Sequence, residues 1–348
     1  MKPQRTLGIG ALTLIASSAF AQSNVQMFGL LDTMISTKRL AGQGRLNAVD
    51  GNGLSTSFWG LRGTEDLGDG MSTQFELTSF FRPDNGAMGR SDYDPFFARS
   101  SWVGLQGALG TVRLGRQSTL SFLNLTHHSA FGTSSSFGPS FLQNYQSSVT
   151  QPMLTGSGAT DSVWNNTVSY RSPSLGGLSG ALVVAPSEGT TAGRRFGANL
   201  GYSAGGLSAD LTYEKISSMS LNFAAPPASI LMQQSRLWNL GVSYDFKVAK
   251  IYVQAISTDL RNAATQIDLR TVNVGAAVPV GVGSILASYG ETRKSQTRLV
   301  DANRRTGSLA YVHALSRRTE LYAVGMHDVY SGSSTKGNGF SLGVRHRF

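Results

Sequence analysis

The side chains best equipped for chemistry in this sequence lie in one stretch, about 118–162, reading STLSFLNLTHHSAFGTSSSFGPSFLQNYQSSVTQPMLTGSGATD from Ser118. His127 and His128 stand there with Asn124, Ser129 and Ser134 to Ser136. A Ser–His–Asn set could serve hydrolysis, with the serine as nucleophile and the histidine as its base. Two features oppose that reading. Adjacent histidines on an extended chain point to opposite sides, and no serine sits in a G-x-S-x-G elbow. A transition-metal site is equally poorly served, because there are five histidines and no cysteine, and neither His-x-x-x-His nor a carboxylate at ligand spacing accompanies the pair. Asp66 and Asp69 in DLGDG offer oxygen ligands for calcium, but a tight turn uses Asp and Gly for its own backbone. The sequence therefore predicts no enzyme, no cofactor and no metal.

Composition narrows the class of protein. The 348 residues are 40% hydrophobic and 14% charged, with 41 glycines. Soluble domains carry about 25% charged residues, so the charge is thin here, and disorder driven by charge is excluded. Past the N-terminus no apolar run approaches the roughly 20 residues of a membrane-spanning helix. The N-terminus itself has Lys2 and Arg5, an apolar stretch from Leu7 to Ile15, and the small-residue site Ala19-Phe20-Ala21. That layout predicts a secretory signal peptide over 1–21 and a mature chain over 22–348. Loss of Lys2 and Arg5 lowers the formal charge from +10 to +8. On an exported chain such a charge points to small anions or a lipopolysaccharide surface rather than nucleic acid.

The elements that must carry these residues have a period of two. Phe340, Leu342, Val344, His346 and Phe348 alternate with Ser341, Gly343, Arg345 and Arg347. Val25, Met27, Leu31 and Ile35 alternate with Gln26 and Asp32, and Phe75 and Leu77 with Gln74, Glu76 and Thr78. A soluble sandwich shows the same alternation with its apolar face inward, so period alone does not choose. Turn spacing does. Short connections near 66–70, 107–110, 172–177, 203–206, 245–249, 280–282 and 315–318 alternate with longer polar stretches near 37–53, 82–95, 118–162, 187–194, 216–235, 258–267, 294–302 and 329–337. Seven short turns and eight loops give sixteen strands. An even number of antiparallel strands, with short turns at one end and longer loops at the other, predicts an all-β transmembrane barrel. Aromatic residues near predicted strand ends, among them Trp102, Tyr170, Tyr202 and Tyr311, agree with interfacial girdles.

Five segments, SNVQMFGLLD from Ser23, WGLRGTEDLGDG from Trp59, ARSSWVGLQGALGTVRLGRQ from Ala98, WNNTVSYRSPSLGGL from Trp164 and the terminal GVRHRF, together resemble the general porins of Gram-negative outer membranes. The resemblance implies a trimer of sixteen-stranded barrels in the cell outer membrane, each a water-filled passive diffusion channel for small hydrophilic solutes and ions. It also implies that Phe348 is a recognition signal for the barrel-assembly machinery, and that the third loop, 118–162, folds into the lumen and narrows it. Apolar residues such as Phe131, Phe137 and Leu142 in that loop independently predict packing rather than disorder.

The same resemblance places Arg99 and Arg171 on a basic lumen wall opposite the third loop. At a further position where the family usually has arginine, this chain has Phe58. Arg62, four residues on, shares that face and could supply a displaced charge. Arg113 alternates with Val112 and Leu114 and should point inward, whereas Arg116 stays open between lumen and trimer contact. Asp32 and Glu76 on inward parity would moderate the positive field, and Asp161 is the loop's only acid. Fixed charge at a constriction is weakly screened, so arginines facing a nearly uncharged loop predict anion preference. Gly29, Gly60 and Gly63 are expected to let neighbouring trimer walls approach. A solute-specific channel is the alternative, though no inward aromatic ladder is visible. A surface adhesin is a further one, opposed by the shortness of the other loops.

Overall fold

Alternation of apolar and polar residues extends every barrel strand in the computed structural model, which describes residues 24–145, 162–188, 193–222, 229–297 and 300–348. The predicted signal peptide, Asp161 and the later part of the third loop lie outside the described residues. The N-terminal third holds β1 (Asn24–Arg39), β2 (Leu46–Gly51), β3 (Phe58–Gly68), β4 (Met71–Phe80), β5 (Ser100–Gly107) and β6 (Gly110–Ser118). Two helices, α1 (Leu120–His127) and α2 (Pro139–Asn144), follow. The middle comprises β7 (Val163–Arg171), β8 (Leu178–Ala185), β9 (Arg195–Ala204), β10 (Leu207–Ile216), β11 (Met219–Asn222) and β12 (Ser229–Met232). The chain ends with β13 (Gln234–Asp245), β14 (Lys250–Arg261), β15 (Gln266–Val280), β16 (Gly283–Gln296), β17 (Ala302–Ala314), β18 (Thr319–Tyr330) and β19 (Gly337–Arg347).

Sixteen of these strands form one closed antiparallel ring, in which β1 pairs with β3 on one side and with β19 on the other. The other three belong to loops. β2 folds back on the far end of β1, and β11 and β12 form a separate hairpin. All seven expected short turns fall between consecutive barrel strands. The stretches near 37–53 and 216–235 are not plain loops as expected, because they contain β2 and the β11–β12 hairpin. The stretch near 258–267 is mostly strand, and its connection is only 262–265, where the Asn262 side chain accepts from the amides of Ala264 and Thr265.

Burial resolves the choice between barrel and sandwich. Outward residues are large and apolar yet exposed, as with Leu309 at 59% and Val272 at 55%, whereas inward Thr306 and Asn273 are 0% and 1% exposed. A water-soluble sandwich buries the opposite set; a barrel in lipid needs this one. With the ring closed, no barrel strand among the described residues is left as a free lipid-facing edge. The seam is sealed at Phe348, whose amide donates to the Gly29 carbonyl while the Gly29 amide donates back, both at 3.1 Å. A Cβ on Gly29 would stand 2.4 Å from the Phe348 ring, so only glycine admits that ring. Gly60 and Gly63 likewise make room for Thr78 and Phe75 of the same chain.

Candidate channel constriction

The third loop folds into the barrel because its helices present polar side chains that satisfy the inward face of one wall. The Thr119 side chain caps α1 by accepting from the Phe122 amide, and Pro139 starts α2, where its missing N–H costs nothing. From α1, Asn124 Nδ2 donates to the carbonyls of Asp210 and Asn239 and to Thr212 Oγ1 within 3.0 Å. The Glu214 carboxylate accepts from the Ser121 amide and hydroxyl at 2.8 and 2.7 Å. From α2, Gln143 Nε2 donates to the Gly290 carbonyl and Thr306 Oγ1, while Gln143 Oε1 accepts from Thr292. Ser308 holds the Phe137 carbonyl, and Ser134 holds that of Gly53. These bonds fasten the loop to β10, β13, β16 and β17 and to Gly53, and Leu120 of α1 packs against Trp164, Ala181 and Val183 of β7 and β8, leaving lumen space along β3 to β6.

The uncovered wall carries the basic residues. Arg99, Arg113, Arg171 and Glu76 line one cavity of about 220 Å³, closed on the loop side by Leu120 and Leu123 of α1. Arg62, Glu76, Trp102 and Arg113 line an adjoining one of about 300 Å³, so Trp102 faces the lumen and not the interfacial girdle expected for it. Aromatic rings form a floor under three of the four guanidinium groups. Arg62 lies 4.6 Å from the Phe28 ring centroid, Arg99 4.0 Å from that of Phe58, and Arg113 3.9 Å from that of Trp102. Such stacking holds a guanidinium in place without cancelling its charge. Arg99 also pairs with Glu76 at 3.4 Å. Among the described residues, no carboxylate comes within 4.0 Å of Arg62, Arg113 or Arg171.

Two other inward acids, by contrast, are engaged by the protein. Asp328 takes a two-pronged bond from Arg304 at 2.8 and 3.0 Å, with both side chains buried. Asp32 does not join the arginines as the strand parity suggested. It is fully buried and accepts from the amides of Gly53, Leu54 and Ser55 and from the Tyr322 hydroxyl, pinning the chain that enters β3. Glu76 is thus the single acid of the expected set beside the arginines. Across the lumen, the described part of the third loop contains neither Asp nor Glu.

Other expectations resolve as follows. Arg116 sits at a β-bulge between Gly115 and Gln117, where strand parity is lost, and it bonds the Ala98 carbonyl at 2.7 Å and the Asn165 side chain. Asp66 accepts from the Gly68 amide, an ordinary turn contact. His127 and His128 are not on extended chain. They end α1, and their ring centroids lie 4.6 Å apart. Asn239 Nδ2 donates to the Ser121 carbonyl at 3.2 Å, and Gln254 donates to the Leu125 carbonyl at 2.8 Å and accepts from Ser140 at 2.6 Å. These anchors, with Asn124 and Gln143, carry no motif in the sequence, although the inward parity of Asn239 and Gln254 is readable.

A sixteen-stranded barrel with a loop packed against one inner wall and a charged opening along the other is a pore. A profile of the Gram-negative porin family matches residues 8–333, and the chain belongs to that family. It forms a passive channel in the outer membrane. It is 32% identical to outer membrane porin protein 32 of Delftia acidovorans, across 97% of this chain and 98% of that one. An outer membrane porin protein of Bordetella pertussis is 27% identical across 98% and 99% of the two chains. The solved structure of an anion-selective porin from Comamonas acidovorans superposes with a TM-score of 0.78 at 27% identity, covering 94% of this chain and all of that one. OmpT of Vibrio cholerae shares the fold, with a TM-score of 0.70 at 14% identity.

Proposed function

We propose that the pore prefers small anions, that Arg62, Arg99, Arg113 and Arg171 set this preference, and that the protein catalyses no chemical step. The observation that carries the reading is an imbalance. Three of these arginines have no ion-pairing carboxylate among the described residues, whereas the inward acids Asp32 and Asp328 are spent on protein partners. A partly dehydrated ion passing between a loop poor in charge and this wall meets a positive field that bulk salt screens only weakly. The similarity to an anion-selective porin supports the same sign.

The assembly is a homotrimer in this reading, with closed symmetry as the ordinary solution for identical chains. Residues 1–21 direct export, Phe348 is read by the barrel-assembly machinery, and the finished barrel meets lipopolysaccharide. Proteoliposome swelling tests the transport claim: neutral sugars and a small organic anion should enter passively, and the anion faster than a cation of equal size. Equal or reversed entry of the two ions would refute the preference, and no swelling in any solute would refute an open pore.

A further inference from the structure

The two histidines that close α1 converge on a single carboxylate of the barrel wall. His128 Nε2 lies 2.9 Å and His127 Nδ1 3.2 Å from the same oxygen, Asp210 Oδ2. One nitrogen of each ring and a carboxylate oxygen all fall within 4.8 Å of one another, the one such grouping among the described residues. We propose that His127, His128 and Asp210 bind a divalent transition-metal ion, of which Zn²⁺ is the representative, on the lumen wall.

The donor set fits that class of ion. Two imidazoles and one carboxylate suit Zn²⁺, Ni²⁺ or Cu²⁺ rather than Ca²⁺ or Mg²⁺, which take oxygen ligands. Zinc ligands lie about 2.0–2.2 Å from the metal, which puts neighbouring donor atoms of a tetrahedron about 3.3 Å apart. Both N···O separations are near that value already. The remaining adjustment falls to His127, whose side chain is 53% exposed and can rotate. That exposure also leaves a fourth position for water, the open-site pattern of three protein ligands.

Two further observations show the site to be built rather than accidental. His128 is fully buried, and its other nitrogen, Nδ1, stands 3.2 Å from Ser243 Oγ. A second partner on the distal nitrogen is what orients a metal-bound imidazole. Asp210 is also flanked across the sheet by Gly201 on β9 and Gly241 on β13. A Cβ on Gly201 would come 2.8 Å from Asp210 Oδ1, and one on Gly241 would come 2.4 Å from the His128 ring. The two glycines make the bay into which carboxylate and rings fit. On binding, each neutral imidazole gives its metal-facing lone pair to the ion and carries its proton on the other ring nitrogen, where Ser243 accepts from His128.

Asp210 lies three residues from Leu207, where β10 leaves its short turn, so the ion would add positive charge in the short-turn half of the lumen. The test is titration calorimetry of the intact detergent-solubilised protein with Zn²⁺. One ion per chain should bind, and His127→Ala and Asp210→Asn should each weaken binding at least about tenfold. His313→Ala, at a histidine remote in sequence and outside the cluster, should leave it unchanged. His127→Ala removes an exposed side chain, so folding survives and the comparison stays informative. In the Cu²⁺-loaded protein, electron paramagnetic resonance should show coupling to two nitrogens, falling to one in His127→Ala. No binding by the wild type, or binding that neither His127→Ala nor Asp210→Asn weakens, would overturn the proposal.

Discussion

The guanidinium of Arg99 lies 4.0 Å from the ring centroid of Phe58, at the position where the resemblance to general porins implied another arginine. The ring at that position supports a neighbouring cation. Arg99 reaches across from the start of β5, and its pairing with Glu76 at 3.4 Å fixes it from the other side. The wall keeps a positive charge near that point while part of the lumen is filled by an aromatic side chain. Replacing Phe58 by Ala should therefore raise single-channel conductance, because volume is removed and charge is not. Reversal potential should change little. Unaltered conductance would show that Phe58 stands clear of the ion path.

Asp32 makes a stability prediction that is separable from transport. Its carboxylate serves three backbone amides and the Tyr322 hydroxyl, all in a buried site. Asp32→Ala strands those donors and should cost at least about 3 kcal/mol, since each unsatisfied buried group costs about 1–3 kcal/mol. Tyr322→Phe removes one donor to a charged acceptor and should cost about 2 kcal/mol. Urea unfolding in detergent measures both. Selectivity of molecules that fold should be unchanged, because Asp32 has no access to the lumen.

At the seam, the reciprocal Gly29–Phe348 hydrogen bonds are the last pairing that closes the ring. Removing Phe348 should lower the amount of folded outer-membrane protein more than it alters the conductance of channels that do assemble. Gly29→Val, which drives a side chain into the Phe348 ring, should produce the same defect with the terminal residue still present. Equal abundance of all three proteins in outer-membrane fractions would contradict a closing role for this contact.

Much of the architecture could be read from residue order alone, for physical reasons. Strand parity and turn chemistry are local, so the seven short turns and the inward direction of Arg62, Arg113 and Arg171 follow from neighbours in sequence. Depth is not local. Asp32 has the right parity for the lumen but is sealed off by the chain returning through Gly53 to Ser55, which parity cannot report. Arg116 escapes for the opposite reason, since a single bulge cancels the count of two on which its direction would rest. The pairing of His128 with Asp210 joins residues 82 apart, so spacing around the histidines gave no sign of a carboxylate. A helix, unlike the extended chain assumed for them, brings adjacent rings together.

Unequal shielding among the arginines ranks their contributions to selectivity. Arg99 is partly offset by Glu76, whereas Arg113 and Arg171 have no ion-pairing carboxylate among the described residues. Glu76→Gln should therefore strengthen anion preference, and Arg99→Gln should weaken it less than loss of Arg113 and Arg171 together. Reversal potentials under a common potassium chloride gradient rank the three variants; a larger effect from Arg99→Gln would contradict the shielding.

Planar-bilayer recording of the wild type and of the Arg113→Gln, Arg171→Gln double variant under a potassium chloride gradient tests the source of selectivity most directly. The wild-type reversal potential should lie on the chloride side and approach zero as total salt rises, because screening lengths shorten from about 10 Å at 0.1 M to about 3 Å at 1 M. The double variant should shift toward the potassium side. A wild-type potential on the potassium side, or one that the double replacement leaves in place, would contradict the assignment of anion preference to the exposed arginine wall.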